Sequence, residues 1–585
     1  MSGELAPVRR SLPRHGVSVP SPVVGGVLAA LVLAAATLVL RSTLQVRSVP
    51  ERLVEWMLLF IPPSLFEAVL QRLGFDAKRY ALYLTIIAMF GLFGGLGYVV
   101  LRQRWSLAVI GLVGLGIWLG VMLVIMPLTS AGVFAIDLLD GKRAAIGGYL
   151  AVGLSYAGAL ALLRTWTVKP FPSVASRRLA LGLVGGAAAS YVATYLAVLL
   201  LPHAAAVADV VVVEDPQPPA PSAGVDASGP PSDTVARPAA TATPPPVAAE
   251  SAVVRLPEPG VSRELARGKD GAVVPSARPP GQLADALTPN RDFYVVTKNA
   301  AGDPFIHPTD WHLLVDGEVA QPFKLDYATL RKLPAVEVTK TLECISNFVG
   351  KPELAPFGAE LISTAVWKGV AVRDILGLTG GPNAAAAGVI AFGADEYTSA
   401  LPLEAVMDPA TLVVYEMNGE VLPREHGYPA RLLVPDRYGM KNPKWLTGLR
   451  LMRNASDDWF GQRNWSKTAI VHTMCRIDSP APDAELASGT HEVSGVAYAG
   501  RRGIEQVEFS IDQGDSWCTA ALSSSSPGQD QWVAWRGSFD LVPGQELTIL
   551  ARATDGSGAL QSRAFSLPQP DGGSGWAEVT VHHSG

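Results

Sequence analysis

The chain holds three cysteines, Cys344, Cys475 and Cys518, and no CxxC or CxxCH spacing. Zinc-ribbon, thioredoxin-type and c-type haem chemistry all need such spacings and are excluded. Cys475 and Cys518 read as buried spectators rather than a bridge, because sequence cannot place them within bonding distance. Cys344 stands in Thr341-Leu342-Glu343-Cys344-Ile345-Ser346-Asn347. Taken alone, a cysteine in such an apolar setting is a buried structural residue. Polar and aromatic residues gather in ordered clusters around it along the chain. These are Asn290-Arg291-Asp292-Phe293-Tyr294, His426-Gly427-Tyr428-Pro429-Ala430-Arg431, Tyr438-Gly439-Met440-Lys441-Asn442-Pro443-Lys444-Trp445 and Gly461-Gln462-Arg463-Asn464-Trp465. Each of their charged groups, taken singly, reads equally well as a surface salt bridge or a turn residue.

These clusters need a scaffold, and the pattern from residue 285 onward provides one. Trp311–Val315 and Leu412–Tyr415 read as strands before Asp316-Gly317 and Asn418-Gly419 turns. Leu325–Leu333 and Ile362–Leu378 include helical stretches, so residues 285–468 form an α+β domain. From 469 to 585 the chain alternates in strand fashion. Val507, Phe509 and Ile511 share one face, as do Leu547, Ile549 and Ala551, with Trp517, Trp532 and Trp535 as core aromatics. That half reads as an immunoglobulin-like β-sandwich.

The amino-terminal part differs in kind. Hydrophobic residues make up 49% of the 585 and charged residues only 17%, against about a quarter charged in soluble proteins. Five apolar stretches reach the length of a membrane-spanning helix: Pro22–Leu40, Ala81–Leu101, Ser106–Leu128, Ala144–Leu163 and Leu179–Leu201. A shorter one near 53–70 contains Glu55, Glu67 and Pro62-Pro63, and is expected to lie at the interface as a helix with an apolar face. The spans hold no interior charge of the kind that marks an ion pathway, and none of the nine histidines falls within them. Transport and transmembrane haem are therefore disfavoured. The unit 22–201 reads as an anchor, with Gly111, Gly114, Gly116 and Gly120 suited to close helix contact.

Arg164, Lys169, Arg177 and Arg178 precede the last span, and no Lys or Arg follows until Arg237. Residues 1–21 are thus expected in the cytoplasm and everything after 201 outside it, in a multi-pass cell-membrane protein. Residues 202–284 hold 16 of the 46 prolines up to Pro280 and are expected to be a disordered tether. A net charge of −5 without a long basic run leaves no footprint for nucleic acid.

The clusters around Cys344, together with Ala365-Val366-Trp367-Lys368-Gly369-Val370 and Tyr415-Glu416-Met417-Asn418-Gly419, resemble the sulfite oxidase family of molybdopterin enzymes. Membrane-anchored bacterial members look similar throughout. The resemblance implies a molybdenum-molybdopterin cofactor with Cys344 as thiolate ligand to the metal, a soft donor suited to a metal that cycles between oxidation states. It implies His426, Arg431, Lys441 and Lys444 as basic groups for the pterin's phosphate, Asn290 and Tyr294 as a loop over pterin and metal, and Asn347 beside them. It also implies that residues 469–585 are the family's dimerisation domain, making a homodimer possible.

Departures from the family pattern bear on substrate. The arginine pair after the cysteine is replaced by Phe348 and Val349, and the pocket tyrosine by Trp465, leaving Arg463 as one cation. Two lost guanidiniums weaken any grip on a dianion, so a small neutral or sulfoxide-type substrate is expected. With no haem, iron–sulfur or flavin motif, an external electron carrier such as a quinone or a cytochrome is needed, besides contact with membrane lipid. Since molybdopterin is inserted in the cytoplasm, Arg177-Arg178 before the last span reads as a twin-arginine signal that exports the folded domain. Rival readings are an inactive relative serving as a binding module, and a true sulfite dehydrogenase.

Overall fold

The computed structural model describes residues 21–61, 72, 77–139, 141–168, 211–212, 273–454, 457–523 and 530–584. Contacts divide these into a helical unit up to Val168 and a β-rich unit from Val211 onward.

The helical unit opens with α1, Pro22–Leu44, capped by the Ser21 hydroxyl accepting from Val24 N at 3.4 Å, with proline in its first turn. Helix α2, Val49–Met57, starts in a capping box between Ser48 and Glu51. It is followed by α3, Ala77–Arg102, then Leu107–Leu128 (α4) and Lys142–Val168 (α5). Four helices are long and apolar enough to cross a membrane: α1, α3, α4 and the part of α5 up to Arg164. The fifth expected span, Leu179–Leu201, and Arg177-Arg178 lie outside the described residues.

Close backbone approach explains two glycine positions. A Cβ on Gly26 of α1 would stand 2.4 Å from the Gly94 carbonyl of α3, and one on Gly114 of α4 2.6 Å from the Gly153 carbonyl of α5. Of the four glycines expected at contacts, Gly114 alone packs in this way; Gly111, Gly116 and Gly120 face open space. Of the expected interfacial segment 53–70, residues 62–70 lie outside the described residues, and its start falls in helix α2. This helix buries Glu51, Arg52 and Glu55, with Glu51 paired to Arg41 at 3.1 Å and Glu55 to Arg47. Buried charges persist when paired.

In the β-rich unit two sheets carry the first half. One runs Val211–Val212, Phe323–Asp326, His312–Gly317, Leu446–Met452, Gly388–Gly393, Thr398–Pro402. The other runs Glu420–Val421, Leu412–Met417, Ile362–Ala371, Val336–Glu343, with Arg431–Leu433 also pairing Leu412–Met417. Side-chain alternation in this second sheet serves two cores. Val370, Val413 and Leu432 join the first sheet's Leu313, Val315 and Phe323. Trp367, Leu412, Val414 and Leu433 face the cluster that holds Cys344.

Within Ile362–Leu378, expected to include a helical stretch, Val372–Gly377 is helix and Ile362–Ala371 before it is strand. The strand's run of β-branched and aromatic residues between two other strands explains the outcome. Residues 273–284, expected in the tether, are described, and Val273–Val274 pairs with Val295–Val296.

The last part consists of two further sheets. Met474–Ser479, Gly489–Tyr498, Val533–Leu541 and Ala521–Leu522 form one; Ala484–Leu486, Ala577–His583, Glu546–Asp555, Ile504–Ser510 and Cys518–Thr519 form the other. They share one core, in which Val507, Phe509, Trp535, Ile549 and Ala551 are buried. Ile511 and Trp517 stand outside it. Ile511 falls just past its strand's end and is exposed, and Trp517 stacks on Arg552 at 3.7 Å. All three cysteines are thiols, and Cys518 is exposed rather than buried.

Candidate active site

Strand Val336–Glu343 passes from exposed residues at its start to four fully buried ones at its end. It therefore delivers Cys344 into the interior. The Cys344 amide donates to the Leu361 carbonyl at 2.9 Å, and its own carbonyl accepts from Asn347 N at 2.9 Å. The thiol lies in an aromatic cluster with Phe293, Tyr294, Phe348 and Trp367.

Three basic groups converge nearby. His426 ends a short turn, Arg424–His426, and Gly427 follows at φ +113°, a conformation open to glycine. A Cβ there would lie 3.0 Å from the Cβ atoms of both Arg431 and Lys444. Gly427 thus lets the three basic residues approach one another. Arg431 Nη1 donates to the His426 carbonyl at 3.1 Å and Nη2 to the Asn442 carbonyl at 2.9 Å, with its guanidinium over the Trp367 ring at 5.3 Å. Its Nε is buried with no protein acceptor. Lys444 Nζ donates to the Glu425 carbonyl at 2.9 Å.

Burial, reinforced by Lys444 and Arg431, pushes His426 down to about 3, so its imidazole is neutral. Burial likewise lowers Lys444, opposed by Asp303, Asp395 and Glu425. A buried cluster whose cations depress one another, with one N–H lacking an acceptor, suits an anionic guest.

Tyr294 shares the thiol's cluster, and Tyr397 and Tyr438 lie within electrostatic reach of it. Burial drives Tyr294 well above the ordinary tyrosine range, with Cys344 adding to the rise and Arg431 opposing it. Tyr397 rises for the same first cause, with Asp458, Asp395 and Cys344 adding to it and Arg463 opposing. The Tyr397 hydroxyl donates to the Met440 carbonyl. The neighbouring Gly439 approaches both Tyr294 Oη and the Glu343 carbonyl, which a Cβ there would meet at 2.9 and 3.5 Å. One turn, Gly439–Lys441, therefore ties Tyr294 and Tyr397 to the residue before Cys344.

The structure does not bring every expected residue into this group. Lys441 pairs with the Asp458 carboxylate and donates to the Ala400 carbonyl at 3.2 Å, with 1% of its side chain exposed. Its charge is spent on a buried ion pair, away from the basic cluster. Asn347 donates from Nδ2 to Glu343 at 3.0 Å and accepts from Leu361 N at 3.1 Å, so its amide fixes the loop after Cys344. Asn290 reaches the site through its backbone, its carbonyl 3.4 Å from His426 Nε2, while Nδ2 donates to the Met417 carbonyl at 3.1 Å.

Trp465 packs edge-on against Phe460 at 5.9 Å on the partly buried turn that also carries Arg463. Phe348 and Val349 are both buried among apolar residues. Sequence reasoning passed over Tyr397 and Asp395. Their signal, an aromatic beside acids in Asp395-Glu396-Tyr397, lacks meaning until the fold sets it beside residue 344.

The last domain closes around the loop following the cysteine. Tyr498 Oη donates to the Thr341 carbonyl at 3.1 Å, and Arg476 Nη1 to the Ala359 carbonyl at 2.8 Å. A glycine-rich strap crosses the same loop. A Cβ on Gly573 would sit 2.7 Å from the Asn347 carbonyl, and one on Gly350 2.8 Å from Gly575 Cα.

Residues 300–460 match the oxidoreductase molybdopterin binding domain, and 467–567 the Mo-co oxidoreductase dimerisation domain. Sulfite oxidase from Gallus gallus is 30% identical over 328 residues, spanning 49% of this chain and 71% of that protein. Nitrate reductase [NADPH] from Aspergillus niger is 30% identical over 343 residues, 47% of this chain and 39% of its own. The sulfane dehydrogenase SoxCD structure from Paracoccus pantotrophus aligns at a TM-score of 0.45 and 23% identity, covering 54% of this chain and 85% of that one.

Among the described residues no three His, Cys, Asp or Glu side chains form a metal cage. A metal held by one protein thiolate, with its other ligands brought by an anionic pterin, fits a single thiol beside a buried basic cluster. The cofactor is molybdenum-molybdopterin, and the chain belongs to the sulfite oxidase family of molybdenum-dependent oxidoreductases.

Proposed function

We propose that the protein is a membrane-anchored oxidoreductase whose catalytic unit faces away from the cytoplasm, acting by oxygen-atom transfer on a small neutral or sulfoxide-type substrate. The observation that carries the substrate reading is the burial of Phe348 and Val349 in apolar clusters, with no guanidinium in that loop. The four apolar helices support the anchoring. Export of a folded, cofactor-loaded domain supplies a physical need for the Arg177-Arg178 pair. The two sheets sharing a core support an immunoglobulin-like last domain, which would join two chains in a homodimer.

Molybdenum-molybdopterin, when bound, supplies oxygen-atom transfer with a two-electron change at the metal. Cys344 would hold the metal as a thiolate. Arg431 and Lys444 would meet the phosphate with charged N–H donors. Neutral His426, with Nε2 donating to the Asn290 carbonyl, would present Nδ1 as an acceptor. Tyr294, kept protonated by burial, would exclude water and hold its hydroxyl proton near the metal, while Tyr397 would steady the Gly439–Lys441 turn through its bond to the Met440 carbonyl. Electrons would pass singly to or from a quinone or a cytochrome, arriving where the substrate gives up an oxygen atom and leaving where it gains one.

The test is reduction or oxidation of the purified full chain by a panel of sulfite, sulfides, and sulfoxides with reduced mediators, followed at the metal's absorbance. Fastest turnover with sulfite would overturn the substrate reading. For sidedness, Arg177→Lys with Arg178→Lys should leave the catalytic unit inside; unchanged cleavage by external protease refutes the export signal.

A further inference from the structure

The turn after Asp458 arranges two cations around one indole. Arg463 stacks on Trp459 with its guanidinium carbon 3.7 Å from the ring centroid, and its Nη1 donates to the Trp459 carbonyl at 2.6 Å. Lys298 Nζ lies 5.9 Å from the centroid of the same ring. It donates to the Asp395 carbonyl at 2.7 Å and stands 3.9 Å from that residue's carboxylate. Trp459 also faces Tyr397, at 6.0 Å between centroids. Tyr397 bonds the Gly439–Lys441 turn that lies against Tyr294 and Glu343, so the indole is one side chain removed from the region of Cys344. The Asp458 carboxylate holds this turn by accepting from Gly461 N at 2.7 Å and Ala400 N at 3.0 Å.

A guanidinium stacked and bonded in this way has part of its fork committed. To meet an oxyanion it must leave the indole and its carbonyl partner. The ring also offers a negative face to both cations, in addition to the Asp395 carboxylate that faces Lys298. We propose that Trp459 is a specificity-determining residue, which holds Arg463, and to a lesser degree Lys298, on its ring and so keeps oxyanions from gaining a cationic partner beside the metal. This inference rests on Cys344 as the metal ligand. It deepens the proposed preference for neutral substrates, and it makes that preference adjustable at a residue distant from the replaced arginine pair.

The experiment titrates sulfate into the molybdenum-loaded full chain and reads the perturbation of the molybdenum(V) paramagnetic signal. Trp459→Leu should tighten sulfate by about tenfold, the size of one charge-assisted hydrogen bond. Trp459→Leu with Arg463→Gln should lose that gain. Trp459→Phe, which retains a ring and guards against a folding failure of the leucine variant, should give a smaller gain. Arg463→Gln alone should change sulfate affinity less than about twofold. Unchanged affinity in both Trp459 variants, or a large loss in Arg463→Gln alone, overturns the inference. Absence of molybdenum from the unsubstituted protein would instead sink the reading beneath it.

Discussion

Replacing Asp458 by Asn should be among the most damaging isosteric changes in the β-rich unit. Lys441 and Asp458 expose 1% and 2% of their side chains, so removing the carboxylate charge leaves an ammonium in the interior with only the neutral Ala400 carbonyl at 3.2 Å and a single amide oxygen that the backbone donors also need. Such a broken buried pair costs about 3–5 kcal/mol. The converse change, Lys441→Met, is milder. Asp458 keeps its two backbone donors, Ala400 N and Gly461 N, and the expected cost is about 1–3 kcal/mol. The double variant should be no worse than Asp458→Asn, giving a coupling of at least about 1–3 kcal/mol between the sites. Urea unfolding of the purified full chain, followed by tryptophan fluorescence, provides the measurement because Trp459 adjoins the pair. Equal single effects that simply add would refute the argument, since they would mean the ion pair is not what stabilises the turn.

Other consequences can be checked separately. His426 titrates near 6.5 when unfolded but only at about 3 when folded, so between those values the unfolded chain binds more protons. Stability of the cofactor-free protein should then fall as pH drops below about 6.5, by roughly 1.4 kcal/mol per pH unit in that window. His426→Asn should remove this share of the slope, and an unchanged slope in equilibrium unfolding contradicts it. Gly572→Ala would set a Cβ 2.5 Å from Tyr438 Oη at a backbone φ of +114°. A loss of about 1–3 kcal/mol is expected from overpacking alone, measured as a lower unfolding midpoint.

Much of the site was legible because its chemistry sits in local runs. Cys344, His426, Arg431 and Lys444 lie in short ordered motifs, and the fold brings the three basic residues together over Gly427. What escaped was chemistry assembled across distance. Lys441 and Lys444 look equivalent in sequence, yet the Gly439–Lys441 turn aims one at Asp458 while the other faces Arg431. Tyr397 owes its place to a hydrogen bond to Met440, 43 residues away in the chain, which no periodicity announces. In the fold, strand alternation located the cores of the last domain. In Ile362–Leu378 the helix was legible but its start at Val372 was not, because a strand buried on both faces lacks a clear period and reads equally well as helix. In helix α2, Glu55 reads as a polar position in sequence, yet it is buried in an ion pair with Arg47.

The thiolate–metal bond at Cys344 can be tested directly by X-ray absorption on the molybdenum-loaded protein, comparing the unsubstituted chain with Cys344→Ser. If Cys344 holds the metal and the pterin supplies two sulfurs, three sulfurs should surround molybdenum, falling to two in the variant while pterin content is retained. An identical sulfur count in both proteins would contradict that bond.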